Sequence, residues 1–223
     1  MPDRIFANRD DAGRALAAKV VARLGDLASQ RPAVLALPRG GVPVARHVAD
    51  ALDADLDVVV ARKIGLPWQP ELGIGAVTAD GPARFDHDLL RRLGLDPRAL
   101  APVVERERAE ARRRLQRYRG DRPPPPITGR PVIVVDDGLA TGVTARAALR
   151  DLRTHRPAWL VFAAPVCARS SAAALTAEAD DLISVQQPAD FHAVGAWYDD
   201  FAQLTDDDVE RQLAAARRGA RLR

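Results

Sequence analysis

Cysteine and long apolar runs are nearly absent from this chain of 223 residues. The single cysteine, Cys167, excludes an intramolecular disulfide and suits a reducing compartment. No uninterrupted run of about 18 apolar residues occurs, and the first residues lack the apolar segment of a secretory signal. We therefore expect neither membrane insertion nor export, and we predict a cytoplasmic protein.

Signals for metal and nucleic-acid binding are also weak. The four histidines have no metal-ligand spacing with each other or with the cysteine, which argues against a zinc site built by the protein. The net charge is only +3, so nucleic-acid binding is not the expected function. Lysine is scarce, since Lys19 and Lys63 are the two lysines among 33 basic residues. Because arginine is the ordinary cation of this chain, the lysine at position 63 stands out.

The rest of the composition indicates one domain over residues 1–223. The apolar content of 47% is enough for one sizeable core. Apolar runs of strand length alternate with helical patterns, which predicts an α/β fold with a doubly wound, mostly parallel sheet flanked by helices. The predicted strands are 33–37, 57–61, 74–77, 132–135, 160–164 and 182–185, and the predicted helices include 10–24, 42–52, 145–152, 170–177 and 206–218.

Two segments interrupt this alternation. A charged stretch at 105–119 and a proline tract at 123–126 predict a helical insertion that is partly mobile. Clustered aromatics near the C-terminal end precede a last helix, where Thr205 and Asp208 resemble a capping box. The expected parts of the domain are a core at about 1–77 and 127–185, the insertion at about 78–126, and a hood with the C-terminal helix at about 186–223.

The strongest functional signal is the segment 132–144. Four β-branched residues run into two carboxylates, Asp136 and Asp137, and then into a small turn that contains Thr141 and Thr144. Because the strand is apolar throughout, we expect it inside a parallel sheet, with both acids at the edge where such sheets bind ligands. The turn directs backbone N–H groups, hydroxyls and a helix N-terminus at one point, which suits a phosphate monoester. The two acids can accept hydrogen bonds from ribose hydroxyls.

This segment resembles the 5-phosphoribosyl-1-diphosphate (PRPP) motif of the type I phosphoribosyltransferases, in which a strand, two acids and two variable residues precede a small-Thr-Gly-x-Thr loop. One departure is Gly138, where the family usually has an aliphatic residue or Ser, so a looser turn is expected. A plain strand and Asp-Gly turn would require neither the second acid nor both threonines. The phosphoacceptor site of response-regulator receivers also pairs acids at a strand end, but it lacks this loop. The resemblance implies phosphate binding by Ala140, Thr141, Gly142, Val143 and Thr144.

Two further motifs fit the same ligand. Gly40 and Gly41 follow a predicted strand and precede a helix, so the backbone can approach an anion closely. Alone, this is an ordinary strand-to-helix turn. Together with the PRPP motif, the resemblance implies a pyrophosphate loop in which Arg39 is a contact. The adjacent cations Arg62 and Lys63 alternate across a strand end, so one of them can face the site. The resemblance favours Lys63, and a solvated pair is the alternative.

The aromatic segment 187–201 loosely resembles the hood of hypoxanthine-guanine phosphoribosyltransferases. There, an aromatic residue stacks on the base and an aspartate downstream of a Val-Gly pair meets magnesium, which implies a metal position for Asp199. The family's lysine that reads the purine 6-oxo group is replaced by Asp190, so poor use of hypoxanthine and guanine is expected. An aromatic lid packed on the sheet edge is the alternative for any one aromatic. The expected hood residues are Asp190, Phe191, Trp197 and Tyr198.

Together these resemblances imply a Mg²⁺-dependent transfer of ribose 5-phosphate from PRPP to a nitrogenous acceptor, with release of pyrophosphate. Mg²⁺, Arg39 and Lys63 are expected to neutralise the departing diphosphate, while Asp136 and Asp137 hold the ribose. Asp136 is also an expected metal contact. The expected partners are PRPP and a small-molecule acceptor, with no membrane or nucleic acid, and the expected assembly is a homodimer. Two other functions stay open: a regulatory PRPP-binding protein without turnover, and a hydrolase that acts on PRPP or a nucleotide.

Overall fold

The structure is a computed structural model that describes residues 5–66 and 68–221. Its strands are β1 (Ala33–Ala36), β2 (Asp55–Val58), β3 (Ala61–Leu66), β4 (Gln69–Thr78), β5 (Arg84–Phe85), β6 (Pro131–Val135), β7 (Trp159–Val166) and β8 (Asp181–Gln186). Its helices are α1 (Arg9–Leu24), α2 (Gly41–Leu52), α3 (His87–Leu93), α4 (Ala101–Arg119), α5 (Val143–Arg153), α6 (Arg169–Leu175) and α7 (Asp206–Arg221).

Five strands form a parallel sheet in the order β2-β1-β6-β7-β8. The central strand β6 is buried along its whole length, which is why its sequence is apolar on both faces. Val132 and Val134 face a core shared with α5 and α6, while Ile133 and Val135 face a core shared with α1 and α2. The predicted α/β fold, with helices on both faces of a parallel sheet, is confirmed. Its central strand delivers the residues after Val135 to the carboxyl edge of the sheet.

A separate antiparallel sheet in the order β3-β4-β5 corrects part of the sequence prediction. The segment 74–77, which was expected in the main sheet, lies within β4 and pairs with β3. The second strand of the main sheet ends at Val58 and does not reach residue 61. A short apolar run does not indicate which sheet it will join. Here the neighbouring segment 61–66 pairs with it locally, as a hairpin.

The insertion is helical, and its longest helix packs against the antiparallel sheet. α4 includes the stretch 105–119 that was predicted as a helix, so this prediction is confirmed. Val103 and Val104 on its inner face join a cluster with Ile64 of β3. Its outer face carries the charged residues, which explains why the stretch is so polar. The proline tract 123–126 has neither helix nor strand, as expected of residues that lack a backbone donor.

The two helices at the ends of the domain have defined caps. In α7 the amide of Asp208 donates to Thr205 Oγ1 at 3.2 Å, and the amide of Thr205 donates to Asp208 Oδ2 at 2.8 Å. The predicted capping box is therefore present. In α1 the amide of Asp11 donates to the side chain of Asn8 at 3.0 Å, so the helix begins at Arg9. Within residues 5–66 and 68–221, no helix combines the length and apolar character needed to cross a membrane.

Candidate functional site

Asp136 and Asp137 follow the last residue of β6 and lie at the carboxyl edge of the sheet. The amide of Asp136 still donates to Ala163 of β7 at 3.1 Å, and the amide of Asp137 donates to Asp136 Oδ1 at 2.9 Å. Burial, together with the charge of Asp137, raises the pKa of Asp136 well above its usual range. Burial also raises the pKa of Asp137, and Arg9 opposes that rise. The structure thus brings both predicted acids together at a site that is largely withdrawn from water.

The residues predicted to bind phosphate, 140–144, form a loop at 140–142 and the first two residues of α5. Gly142 has a φ of 71°, a left-handed conformation that suits glycine, and its carbonyl accepts the amide of Arg146 at 2.8 Å. Leu139 anchors the start of the loop, because its amide and carbonyl both bond to the segment at the end of β7. In the described part of the chain no side chain caps the first turn of α5. Its N–H groups can therefore meet an anion.

Gly40 and Gly41, in the turn between β1 and α2, lie directly against the end of β6. A Cβ atom at Gly40 would be 1.8 Å from Asp137 Oδ2, and one at Gly41 would be 2.5 Å from the carbonyl oxygen of Val135. The peptide between Pro38 and Arg39 is cis. Glycine is needed here because the backbone approaches the acids too closely for any side chain. The turn, residues 38–41, and the loop 140–144 therefore flank the same pair of carboxylates.

Arg39 points from this turn towards the start of α7. Its Nη1 atom is 3.7 Å from Asp206 Oδ1, and the side chain is partly exposed. Asp206 also accepts a hydrogen bond from Tyr118 at 2.6 Å and pairs with Arg117 at 3.1 Å. Although burial opposes it, the bond from Tyr118 and the nearby arginines keep the pKa of Asp206 below its usual value. Arg39, the predicted diphosphate contact, is thus paired with Asp206 of α7 in this structure.

Lys63 lies on β3, in the antiparallel sheet, and its side chain is exposed. It runs along Gly73 of β4, since a Cβ atom there would be 3.0 Å from Lys63 Cδ. The neighbouring Arg62 turns the other way and pairs with Glu107 of α4 at 2.9 Å. The expected alternation of the two cations is present. The strand that carries them, however, is not a strand of the main sheet.

The hood, residues 187–201, is bonded to the start of the chain. The amide of Phe6 donates to Trp197 at 2.9 Å, and the amide of Asp199 donates back to Phe6 at 2.8 Å. Tyr198 is buried beside them, and its hydroxyl donates to the backbone carbonyl of Asp137. Through this hydrogen bond Tyr198 stabilises the backbone just after β6. Burial raises the pKa of the Tyr198 hydroxyl.

The other predicted hood residues divide into two groups. Phe191 and Trp197 are partly buried against the cluster formed by Phe6, Ala12, Val166 and Tyr198. Asp190 and Asp199 are exposed. The aromatics thus pack as a lid on the sheet edge, while the two carboxylates face outwards from it.

Arg9, which the sequence pattern did not identify, completes the site. Its Nε atom is 2.8 Å from Asp137 Oδ2, and its Nη1 donates to the carbonyl of Ala202 at 2.9 Å. The guanidinium carbon lies 3.9 Å from the ring centre of Phe201. In the sequence Arg9 lies one residue before the predicted helix 10–24, with nothing to distinguish it from other arginines. Its partner lies 128 positions away, so no spacing rule could have found the pair.

The donors at this site suit magnesium bound together with a phosphate substrate. Mg²⁺ prefers oxygen ligands and usually takes one or two carboxylates, substrate phosphates and several waters. Asp136 and Asp137 could supply the carboxylates, with Asp137 already paired to Arg9. Among the described residues, no group of three or more histidine, cysteine or acidic side chains could hold a metal on its own. Two carboxylates are a number that Mg²⁺ commonly takes from a protein when phosphates and waters supply its other ligands.

Comparisons with known proteins agree with this geometry. A model of the phosphoribosyl transferase domain matches residues 3–200. Rv0571c of Mycobacterium tuberculosis H37Rv, provisionally named a phosphoribosyl transferase, is 43% identical over 215 residues, which are 96% of this chain and 48% of the relative. The chain thus spans about half the length of the curated relatives that it matches.

Two solved structures are similar to the chain. TT1426 from Thermus thermophilus is 41% identical, has a TM-score of 0.79, and the match covers 95% of this chain and 98% of that one. A protein from Neisseria gonorrhoeae, solved with bound ppGpp, is 15% identical with a TM-score of 0.51, over 96% of this chain and 98% of that one. The second likeness concerns the fold alone.

Proposed function

Because the chain belongs to the phosphoribosyl transferase domain family, a family of glycosyltransferase-type enzymes, we propose that its site transfers ribose 5-phosphate from PRPP to a nitrogenous acceptor and releases pyrophosphate. One observation carries the proposal. Two segments whose backbone could bind an anion, residues 38–41 and 140–144, adjoin Asp136 and Asp137 at the carboxyl edge of a parallel sheet. A phosphorylated sugar that also bears a diphosphate needs such an arrangement.

Each part of PRPP has a matching group. The 5-phosphate would bind at the N-terminus of α5, where, among the described residues, no side chain caps the first backbone N–H groups, and Thr141 would add a hydroxyl. The ribose hydroxyls would donate to Asp136 and Asp137, which offer acceptor oxygens. The diphosphate would lie against Gly40 and Gly41, where the absence of side chains lets the backbone come close. In this arrangement C1 of the ribose lies between the carboxylates and the hood.

The chemistry requires stabilisation of opposite charges. As the diphosphate leaves, C1 passes through an oxocarbenium-like state, and an ionised Asp137 nearby would stabilise its positive charge. Arg39 would move from Asp206 to the departing diphosphate. Magnesium, when bound with PRPP, would neutralise the same leaving group. The packed hood would exclude water, which otherwise competes with the acceptor.

The acceptor is expected to differ from hypoxanthine and guanine. Those bases present an acceptor oxygen that a lysine or an N–H group satisfies, whereas Asp190 occupies the corresponding position here. Two acceptors that face each other away from water cost roughly 1–3 kcal/mol. In the structure Asp190 is exposed, so this cost would arise only if the hood closed over the base. Efficient wild-type turnover of either base would contradict the expectation.

The testing experiment is incubation with PRPP and Mg²⁺, with and without a panel of bases and amines. Pyrophosphate release that depends on an acceptor would support transfer. Release without any acceptor would favour a hydrolase. Binding without release, detected by thermal stabilisation, would favour a regulatory PRPP-binding protein.

Replacing both Asp136 and Asp137 with Asn is expected to abolish stabilisation by PRPP. A ligand at about 100 times its Kd stabilises a protein by about 2.7 kcal/mol, and this increment depends on the ribose contacts. Thermal unfolding with increasing PRPP and Mg²⁺ measures it. Asp181→Asn is the control, because Asp181 forms an ion pair with Arg23 at the surface of the domain. Undiminished stabilisation of the double variant would refute the role of the two acids.

A further inference from the structure

Arg9 connects three parts of the molecule that are distant in sequence. Its guanidinium bonds to the Asp137 carboxylate and to the carbonyl of Ala202, and it stacks over the ring of Phe201. The Arg9 side chain is only 12% exposed and that of Asp137 only 14%. An ion pair exposed on the surface contributes little to stability. A pair withdrawn from water in this way also holds its two side chains in a defined geometry.

The Asp137 oxygen that pairs with Arg9, Oδ2, also packs against Gly40. It lies so close to Gly40 that a Cβ atom there would overlap Asp137 Oδ2. The hydroxyl of Tyr198 holds the backbone carbonyl of the same residue. The carboxylate is therefore confined by the turn at 38–41 and by the guanidinium. The hydrogen bond from Arg9 fixes the orientation of the Asp137 carboxylate.

We propose that Arg9 is a positioning residue of the phosphoribosyl site, which orients the Asp137 carboxylate for the ribose hydroxyls and couples it to residues 201–202. This inference rests on the proposed function. Arginine suits the task better than lysine, because its planar group can donate along two directions and stack on an aromatic ring at once. Arg9 itself need not touch the substrate. Its effect reaches the ribose through Asp137.

The position of the pair indicates a role beyond stability. Replacing both partners of a buried ion pair with well-packed apolar residues often costs little stability, whereas removing one partner leaves an unpaired buried charge and is strongly destabilising. In metal sites, partners that orient a ligating side chain change affinity or activity by about 10- to 100-fold when removed, and we expect an effect of this order for a group that orients Asp137. Arg9 is thus expected to contribute to PRPP affinity as well as to the stability of the free protein, so the two quantities are measured separately.

The experiment compares Arg9→Met and Arg9→Lys with wild type. PRPP affinity comes from thermal shifts during a PRPP titration with Mg²⁺, and KM and kcat come from pyrophosphate release with any acceptor that the wild type uses. Arg9→Met should weaken apparent PRPP affinity at least roughly 10-fold, mainly through KM. Arg9→Lys should recover part of that loss, because lysine restores the positive charge but cannot donate along two fixed directions or stack flat on the ring of Phe201. Phe201→Leu, which removes only the ring, should give a smaller loss.

Arg23→Met is the matched control. Arg23 lies on the same helix and pairs with Asp181 at 2.7 Å, but its side chain is 64% exposed and its pair lies outside the site. This variant should bind PRPP like wild type. If Arg9→Met does not fold, Arg9→Lys and Phe201→Leu still decide the question, because wild-type affinity in both would overturn the inference.

The outcomes separate the two proposals. A wild-type protein without any response to PRPP would overturn the proposed function and the role of Arg9 with it. A responsive wild type with equal affinity in Arg9→Met would overturn the Arg9 inference alone. If Arg9→Met weakens affinity only to the extent that it lowers the fraction of folded protein, the role of Arg9 is structural and the inference is overturned.

Discussion

At the scale of single residues, the side chain of Val194 in the hood fills the space beside Gly138, just after the end of β6. A Cβ atom at Gly138 would lie 2.4 Å from Val194 Cγ1. Gly138 is also where the sequence departs from the PRPP motif, whose usual residue at this position is larger. The departure is thus compensated in the hood, and the expected looser turn is instead filled by a side chain from residue 194.

Gly138→Ala is expected to destabilise the protein by about 1–3 kcal/mol, because the added methyl group overlaps a valine that has little room to move. Val194→Ala removes the overlapping atoms, so the double variant should be more stable than the sum of the two single effects predicts. Chemical denaturation of the four proteins gives this coupling free energy as a double-mutant cycle. Strict additivity would show that the two side chains do not meet.

At the scale of elements, α4 is stabilised by charge pairs between adjacent turns. Glu110 bonds to Arg113 and Arg114 of the following turn, both at 2.7 Å. The hydrogen bond from Arg113 is the largest influence, and these contacts lower the pKa of Glu110 from 4.5 to about 2. The helix thus has a local contribution to stability that depends on an ionised carboxylate.

Glu110→Gln is expected to remove a contribution that depends on pH. A carboxyl group whose pKa is lower in the folded state stabilises the protein fully above pH 4.5, and this contribution is lost as the pH falls towards about 2. The difference in unfolding free energy between wild type and variant should therefore be largest near neutral pH and shrink over that window. Glu105→Gln is the control, because it removes the same charge from an exposed position whose pair with Arg108 is longer, at 3.3 Å. A difference that does not change with pH would contradict the assignment.

The elements were also the level at which the sequence was most informative. The parallel strands and the helices follow from apolar periods that each segment carries within itself, as in the uniformly apolar β6. The segment 74–77 was misplaced because its neighbours decide which sheet it joins. Arg9 was missed for a related reason, since its contact with Asp137 exists only after α1 and β6 have been brought together. Local patterns identified the carboxylates and both loops as candidates, but not Arg9 and Tyr198, which contact Asp137.

At the scale of the whole molecule, the beginning and the later part of the chain form one small core. Phe6 is fully buried and packs on Tyr198, with ring centres 5.6 Å apart. The two residues form a parallel bridge, and the backbone bonds of Phe6 continue it to Trp197 and Asp199. This cluster includes residues of the hood, so it links the start of α1 to the site.

Phe6→Ala is expected to destabilise the domain by about 3–5 kcal/mol, because it leaves a cavity in a fully packed cluster. Chemical denaturation measures the loss. The adjacent Ile5 is 55% exposed, so Ile5→Ala should change stability far less and serves as the matched control. Equal effects of the two variants would mean that the start of the chain does not contribute to the core.

The bridge between Phe6 and Tyr198 also has a consequence for protein synthesis. A ribosome adds about 5–20 residues per second, so roughly 10 to 40 s separate the appearance of these two residues. During that interval Phe6 cannot pack on Tyr198, and Arg9 can neither stack on the ring of Phe201 nor donate to the carbonyl of Ala202. A nascent chain therefore carries Arg9 and both carboxylates before it carries the residues that hold Arg9 in place, and the site becomes complete only when the hood has emerged.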